Sequence, residues 1–189
     1  MDATALLRPG LLDGRVVALG GGGDALGAPL AALGATTVAL PATLDEDEAA
    51  EHARDALAAH GALDVLLHDL RPAFAGGGHA ALRTALDTAW VTVRAVATTA
   101  FISGGRGGTV VLVAPPSDAG DSASAGVRAG AENLARTLSI EWARHAITTV
   151  AITPGAKTGD AELSALAAYL ASPAGDYWSG CRLALGDVA

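Results

Sequence analysis

The segment spanning residues 109–155 constrains the fold more than any other part of the chain. Val110, Val111, Leu112 and Val113 form an unbroken β-branched and aliphatic run, the pattern of a parallel strand covered on both faces. Residues 122–145 then carry helical spacing. Residues 148–152 (Thr, Thr, Val, Ala, Ile) read as the next buried strand, and Thr153, Pro154 and Gly155 close it with a turn. Strand, long two-faced helix and strand together call for a sheet with helices packed on it.

The remaining chain extends this pattern. Residues 1–14 read as a leader ending in an Asp13-Gly14 turn, and Arg15 to Leu19 as a first strand. Gly20, Gly21, Gly22, Gly23, Asp24, Ala25, Leu26 and Gly27 open a helix that runs through Leu33 and stops at Gly34. A Gly-rich turn ahead of a helix presents free N–H groups and a positive dipole end to an anion; packing alone accounts for it equally well. A second strand spans 36–40. The acidic run Asp45, Glu46, Asp47 and Glu48 suits the first turn of a helix to Ala59, capped by Thr43 or Asp45. Residues 62–68 form a third strand, followed by His68, Asp69, Leu70 and Arg71, which read as a surface cluster. Residues 72–78 are expected to be a flexible loop, and 79–103 a long helix with apolar positions at Leu82, Leu86, Trp90, Val93 and Phe101. Glu162 to Ala171 is the last helix and 176–185 the last strand.

Composition limits what such a chain can do. Its 189 residues, 51% of them hydrophobic, suffice for one domain (1–189) with a sizeable core. A net charge of -8 argues against nucleic acid and anionic membranes as partners. A lone cysteine, Cys181, excludes an internal disulfide and suits a reducing cytosol, so a cytoplasmic location is expected with the thiol buried in the last strand. No run is long and apolar enough to span a membrane. The five histidines (52, 60, 68, 79, 145) lack ligand spacing, so no metal site is expected. Neither a Gly-x-Ser-x-Gly elbow nor a Gly-x-x-x-x-Gly-Lys-Ser/Thr loop is present.

Ser124, Ala125, Gly126, Val127, Arg128, Ala129, Gly130, Ala131, Glu132, Asn133 and Leu134, followed by a strand ending Pro154-Gly155, resemble the core of the short-chain dehydrogenases/reductases. That resemblance covers residues 12–187. It implies a doubly wound, Rossmann-like parallel sheet of about six strands with helices on both faces, one strand–helix unit short of the family's. The family's Tyr-x-x-x-Lys pair falls on Ser124 and Arg128, its catalytic Ser near Pro115 (with Ser117 close by) and its supporting Asn near Ala85. In its Gly-rich loop, Gly21 and Gly27 stand at the outer glycines and Ala25 at the middle one. After the second strand, Leu40-Pro41 offers neither the acidic nor the basic residue expected to meet the adenosine ribose.

These replacements remove the chemistry the resemblance would supply. A tyrosine, with a pKa of about 10, is brought into working range by a nearby ammonium; a serine hydroxyl titrates far higher and is too short to reach the same oxygen. Arginine at the lysine position keeps its charge but relays no proton. No cofactor is therefore expected; if one is held, NAD(P) is the candidate, with Gly21, Gly27 and Arg128 as its contacts. The helices at 79–103 and 122–145 remain. Val127, Ala131, Leu134, Leu138 and Trp142 form a stripe for the sheet, while Gly126, Gly130, Asn133 and Thr137 form a small-residue stripe that, with Trp90, could meet another subunit. The expected function is a non-catalytic subunit, assembled through these helices with an active full-length relative. An active oxidoreductase with a site remodelled around His68, Asp69, Ser124 and Arg128, or a ligand binder using the Gly20 to Gly27 loop, are the alternatives.

Overall fold

The structure is a computed structural model; it describes residues 6–118 and 121–186. Residues 1–5 of the expected leader and residue 187, the end of the resemblance, lie outside the described residues.

Six strands form one parallel sheet: β1 (Val16–Gly20), β2 (Thr36–Ala39), β3 (Val65–Asp69), β4 (Gly108–Val113), β5 (Ile147–Pro154) and β6 (Cys181–Leu185). Their order is β2-β1-β3-β4-β5-β6. The register places Val17 beside Val65, Val65 beside Thr109, and Gly108 beside Ile147. The central strands are apolar on both sides because helices cover both faces. Helices α1 (Asp24–Ala32) and α6 (Asp160–Ala171) pack Leu26, Leu30, Leu163 and Leu170 on Val17, Val65, Val111 and Ile152. On the other face, α2 (Glu46–His60), α4 (Gly78–Val96) and α5 (Ser122–Glu141) cover Ala18, Leu66, Val110 and Leu112. Each fully buried Leu or Val side chain contributes about 1.5–3 kcal/mol. The chain passes from β2 into α2 and on to β3, so β2 pairs only with β1 and the sheet has the expected six strands.

Local chemistry sets the ends of the helices. Asp45 caps α2 by accepting from the Asp47 and Glu48 amides at 2.9 and 3.0 Å, and Gly61 ends it in the left-handed region. Asp121 caps α5 and also accepts from the Gly78 amide, which ties the starts of α4 and α5 together.

Four expectations are corrected. Residues 72–78 are not simply a loop: α3 (Arg71–Phe74) forms there, with Pro72 in its first turn and Phe74 buried. The long helix at 79–103 ends as a helix at Val96 and continues as a π-helical segment, Ala97–Ile102. Leu12, expected in a leader, is fully buried against α1 and α6. Cys181 is only half-buried, because β6 is an edge strand.

Candidate functional site

In an open parallel sheet, ligands bind beyond the carboxyl ends of the strands where the strand order reverses. Here that crevice lies above β1 and β3, between the loop at Gly20 to Gly23 and the turn after β5. The chain's own side chains occupy it.

Asp69, at the end of β3, is 2% exposed. It accepts from Arg71 Nε at 2.9 and 3.0 Å and from Nη2 at 2.7 Å, while Arg71 Nη1 reaches Asp160 Oδ1 at 2.6 Å. One guanidinium thus spans from β3 to the start of α6. The hydrogen bonds that Arg71 donates to Asp69 raise the Arg71 pKa, so the charge is fixed at any ordinary pH. His68 does not join this pair. It is fully buried, neither ring nitrogen has a hydrogen-bond partner, and burial lowers its pKa to about 4. The cluster read as a surface feature is therefore two separate things: a buried Asp69 paired with a half-buried Arg71, and a buried neutral imidazole.

The Gly-rich loop is pressed onto the same strand end. At Gly21, where φ is +69°, an added Cβ would stand 2.1 Å from the Asp69 carbonyl oxygen; at Gly20 it would stand 2.7 Å from His68 Nδ1. Only glycine fits either position. Gly27 serves helix–strand packing, with Leu19 Cδ1 2.6 Å from where its Cβ would be. Asp24 opens α1 and places an acidic side chain in the first turn.

Ser124 and Arg128 sit on α5 facing the exit of β4, as their spacing predicts. Ser124 Oγ donates to the Pro116 carbonyl at 2.9 Å. Arg128 Nη1 donates to the carbonyls of Pro115 and Pro154 at 3.0 and 2.5 Å, joining the ends of β4 and β5. Pro115 is buried, and Ala85 is buried in α4 with its side chain in the core. A recess of about 250 Å³ remains, lined by Arg71, Phe74, Pro116, Asp121 and Ser124. Asp121 stays ionised well into acid because the Gly78 and Ala123 amides donate to it.

On the outer face, Gly126 and Gly130 admit Leu82 and Leu86 of the same chain: Cβ atoms there would stand 2.5 and 2.7 Å from leucine methyls. The helix they receive is α4. Trp90 (40% exposed), Asn133, Thr137 and Leu86 line an open groove of about 390 Å³, and Ile140, 77% exposed, continues the line along α5. Sequence reasoning missed the Arg71–Asp160 bridge, because 89 residues separate the partners and no motif links them. Ile140 was legible from the spacing 126, 130, 133, 137, 140.

Among the described residues no cluster of His, Cys, Asp and Glu could hold a metal ion, and no helix is long and apolar enough to cross a membrane.

The chain has the fold of the short-chain dehydrogenases/reductases. It superposes on the citronellol catabolism dehydrogenase AtuB of Pseudomonas aeruginosa PAO1 with a TM-score of 0.77 at 21% identity, covering 95% of this chain and 96% of that one. A hydroxysteroid dehydrogenase from Escherichia coli gives 0.76 at 19% identity over 95% and 99% of the two chains. A short-chain dehydrogenase from Mycobacterium paratuberculosis, bound to NAD, gives 0.73 at 19% over 92% and 97%. No protein-family model matches the sequence, and no curated protein does.

Proposed function

We propose that this chain is a shortened, non-catalytic member of the short-chain dehydrogenase/reductase family that serves as a cytoplasmic partner subunit, assembling through α4 and α5 with an active full-length relative. One observation carries the reading: the side chains at the proton-relay positions are spent on the fold. Ser124 and Arg128 bond to the carbonyls of Pro116, Pro115 and Pro154 rather than facing a substrate oxygen. His68, the histidine of the alternative site, is fully buried with neither ring nitrogen hydrogen-bonded.

The crevice residues also do not fit a dinucleotide. Arg71 and Asp160 bridge the space where it would lie, Asp24 opposes its phosphates, and Leu40-Pro41 gives its ribose no partner. The exposed apolar side chains Trp90 and Ile140, beside the groove that half-buried Leu86 helps to line, supply a surface suited to another subunit.

Tagged protein recovered at endogenous expression and examined by native mass spectrometry tests this. A full-length reductase with its Tyr and Lys in place, at fixed stoichiometry, is the expected result. NAD(P)H-dependent reduction by the purified chain alone would sink the reading.

A further inference from the structure

The sheet ends at β2. That strand pairs with β1 alone, and the amides of Thr36 and Leu40 donate to the carbonyls of Arg15 and Leu19 at 2.9 and 2.8 Å. In a parallel pair alternate residues face the partner strand, so Thr37 and Ala39 turn their N–H and C=O groups outward. No strand lies beyond them among the described residues. Folded proteins guard such an edge with a charge, a proline or a bulge. At the opposite edge, β6 carries the exposed Arg182. β2 reads Thr, Thr, Val, Ala in unbroken register with β1 and has no such guard; Pro41 comes only after it.

Beside this edge lies a groove of about 290 Å³, lined by Val38, Leu40, Pro41, Ala56 and Ala59. An apolar trough next to outward-facing peptide groups suits an extended chain, whose main chain pairs while alternate side chains fill the trough. The rim of the groove is acidic. Asp55 lines it, and Glu51 and Glu48 continue the same side of α2 toward its start. All three are exposed. Glu48 accepts from Thr43 Oγ1 and has His52 4.0 Å away, while Glu51 and Asp55 make no ion pair or side-chain hydrogen bond among the described residues. No Lys or Arg lines the groove, and Arg54 lies about 100° round the helix from Asp55. α1, which packs on the other face of β2, has no basic residue either. Uncompensated negative charge therefore borders the open edge.

We infer that the β2 edge binds an extended segment of another protein by strand addition. The segment's main chain pairs with Thr37 and Ala39, its apolar side chains enter the groove, and its Lys or Arg side chains meet Glu51 and Asp55. A second copy of this chain does not fit: it would bring another acidic α2 to the same place, on a molecule that itself carries a net charge of -8. The edge is separate from the outer face of α4 and α5, and the inference does not rest on the partner-subunit reading. With few peptide groups paired and exposed charges contributing, the affinity is modest and falls with added salt.

The test is an NMR titration of amide-labelled protein with the peptide acetyl-Lys-Val-Thr-Val-Thr-Val-Lys-amide. Its controls are the same peptide with Glu in place of Lys, and the Lys peptide with its valines N-methylated. Saturable shifts of the Thr37, Val38, Ala39 and Ala59 amides, with slowed hydrogen exchange at Thr37 and Ala39, are expected from the Lys peptide alone. Asp55→Lys, at an exposed side chain, should weaken the Lys peptide about tenfold and favour the Glu peptide, a reversal that a loss of folding would not produce. Ala39→Pro removes an outward N–H while leaving the ladder to β1, so it should abolish binding with the rest of the spectrum unchanged. Equal binding of the Lys and Glu peptides, no saturable shift at β2, or binding unchanged by Asp55→Lys would overturn the assignment. Protection of Thr37 and Ala39 that appears without peptide and grows with protein concentration would give the edge to a second copy and overturn it too.

Discussion

At the scale of single residues, two buried or strained positions make predictions of their own. His68 has a pKa of about 4 in the folded protein against 6.5 when exposed, because burial disfavours its cation. Below pH 6.5 the unfolded chain takes up a proton that the folded one refuses until about pH 4. Stability therefore falls as pH drops through that window, by up to about 3 kcal/mol. Urea unfolding at stepped pH should show this slope, and His68→Leu should flatten it while remaining at least as stable at pH 7, since it removes two unpartnered nitrogens. A slope unchanged by the substitution would put the acid sensitivity elsewhere. Asp121, whose carboxyl is held below its usual range, adds acid sensitivity only below that window, where it begins to protonate. Ala146 is the one non-glycine residue with positive φ, +54°, among those described. The left-handed region costs an L-residue about 1–2 kcal/mol, part of which glycine returns through its looser unfolded state, so Ala146→Gly should raise stability by about 0.5–1 kcal/mol in the same assay.

At the scale of elements, the ends of the strands decide what the crevice holds. Arg128 joins β4 to β5 through two carbonyls, and hydrogen bonds from a charged group contribute about 1.5–3 kcal/mol. Arg128→Ala should therefore lower the melting temperature by several degrees. Arg128→Lys, the residue a reductase would carry, should recover only part of the loss, because one ammonium lacks the planar fork. Were Arg128 a cofactor ligand alone, the apo protein would melt unchanged. Gly21→Ala makes the complementary case: with φ at +69° and the Asp69 oxygen 2.1 Å from the new methyl, it should destabilise by more than about 1–2 kcal/mol with no nucleotide present. The strands and long helices were legible in the sequence because their signals are local: apolar runs such as Val110 to Val113, and caps such as Asp45. The replaced positions Ser124 and Arg128 were legible for the same reason, as they lie four apart on one helix. What those side chains do instead was not. Their acceptors are main-chain carbonyls up to 26 residues away, and the bridge from Arg71 to Asp160 spans 89. The burial of His68 was hidden too, since a His next to Asp and Arg reads as polar surface until β4 and α4 close over it.

For the whole molecule, the question is which surface is left over once the core is complete. Both faces of the sheet are covered, and Gly126 and Gly130 are used up in seating Leu82 and Leu86, so α4 and α5 form one unit within the chain. What that unit turns outward is an aromatic ring and an aliphatic side chain, Trp90 and Ile140, beside a groove floored by Asn133 and Thr137. Neither contributes to the core, so replacing either should leave the monomer's unfolding midpoint within about 0.5 kcal/mol of the parent. If this face meets another subunit, a half-exposed tryptophan at its centre is the residue whose truncation should hurt most, by 2 kcal/mol or more, about thirtyfold in affinity. Trp90→Ala and Ile140→Glu, followed by sedimentation across a concentration series with the recovered partner or with the chain alone, measure this directly. Dissociation shifted thirtyfold at unchanged monomer stability would place the assembly surface here. Undisturbed assembly in both variants would move it to the open edges of the sheet, β2 and β6.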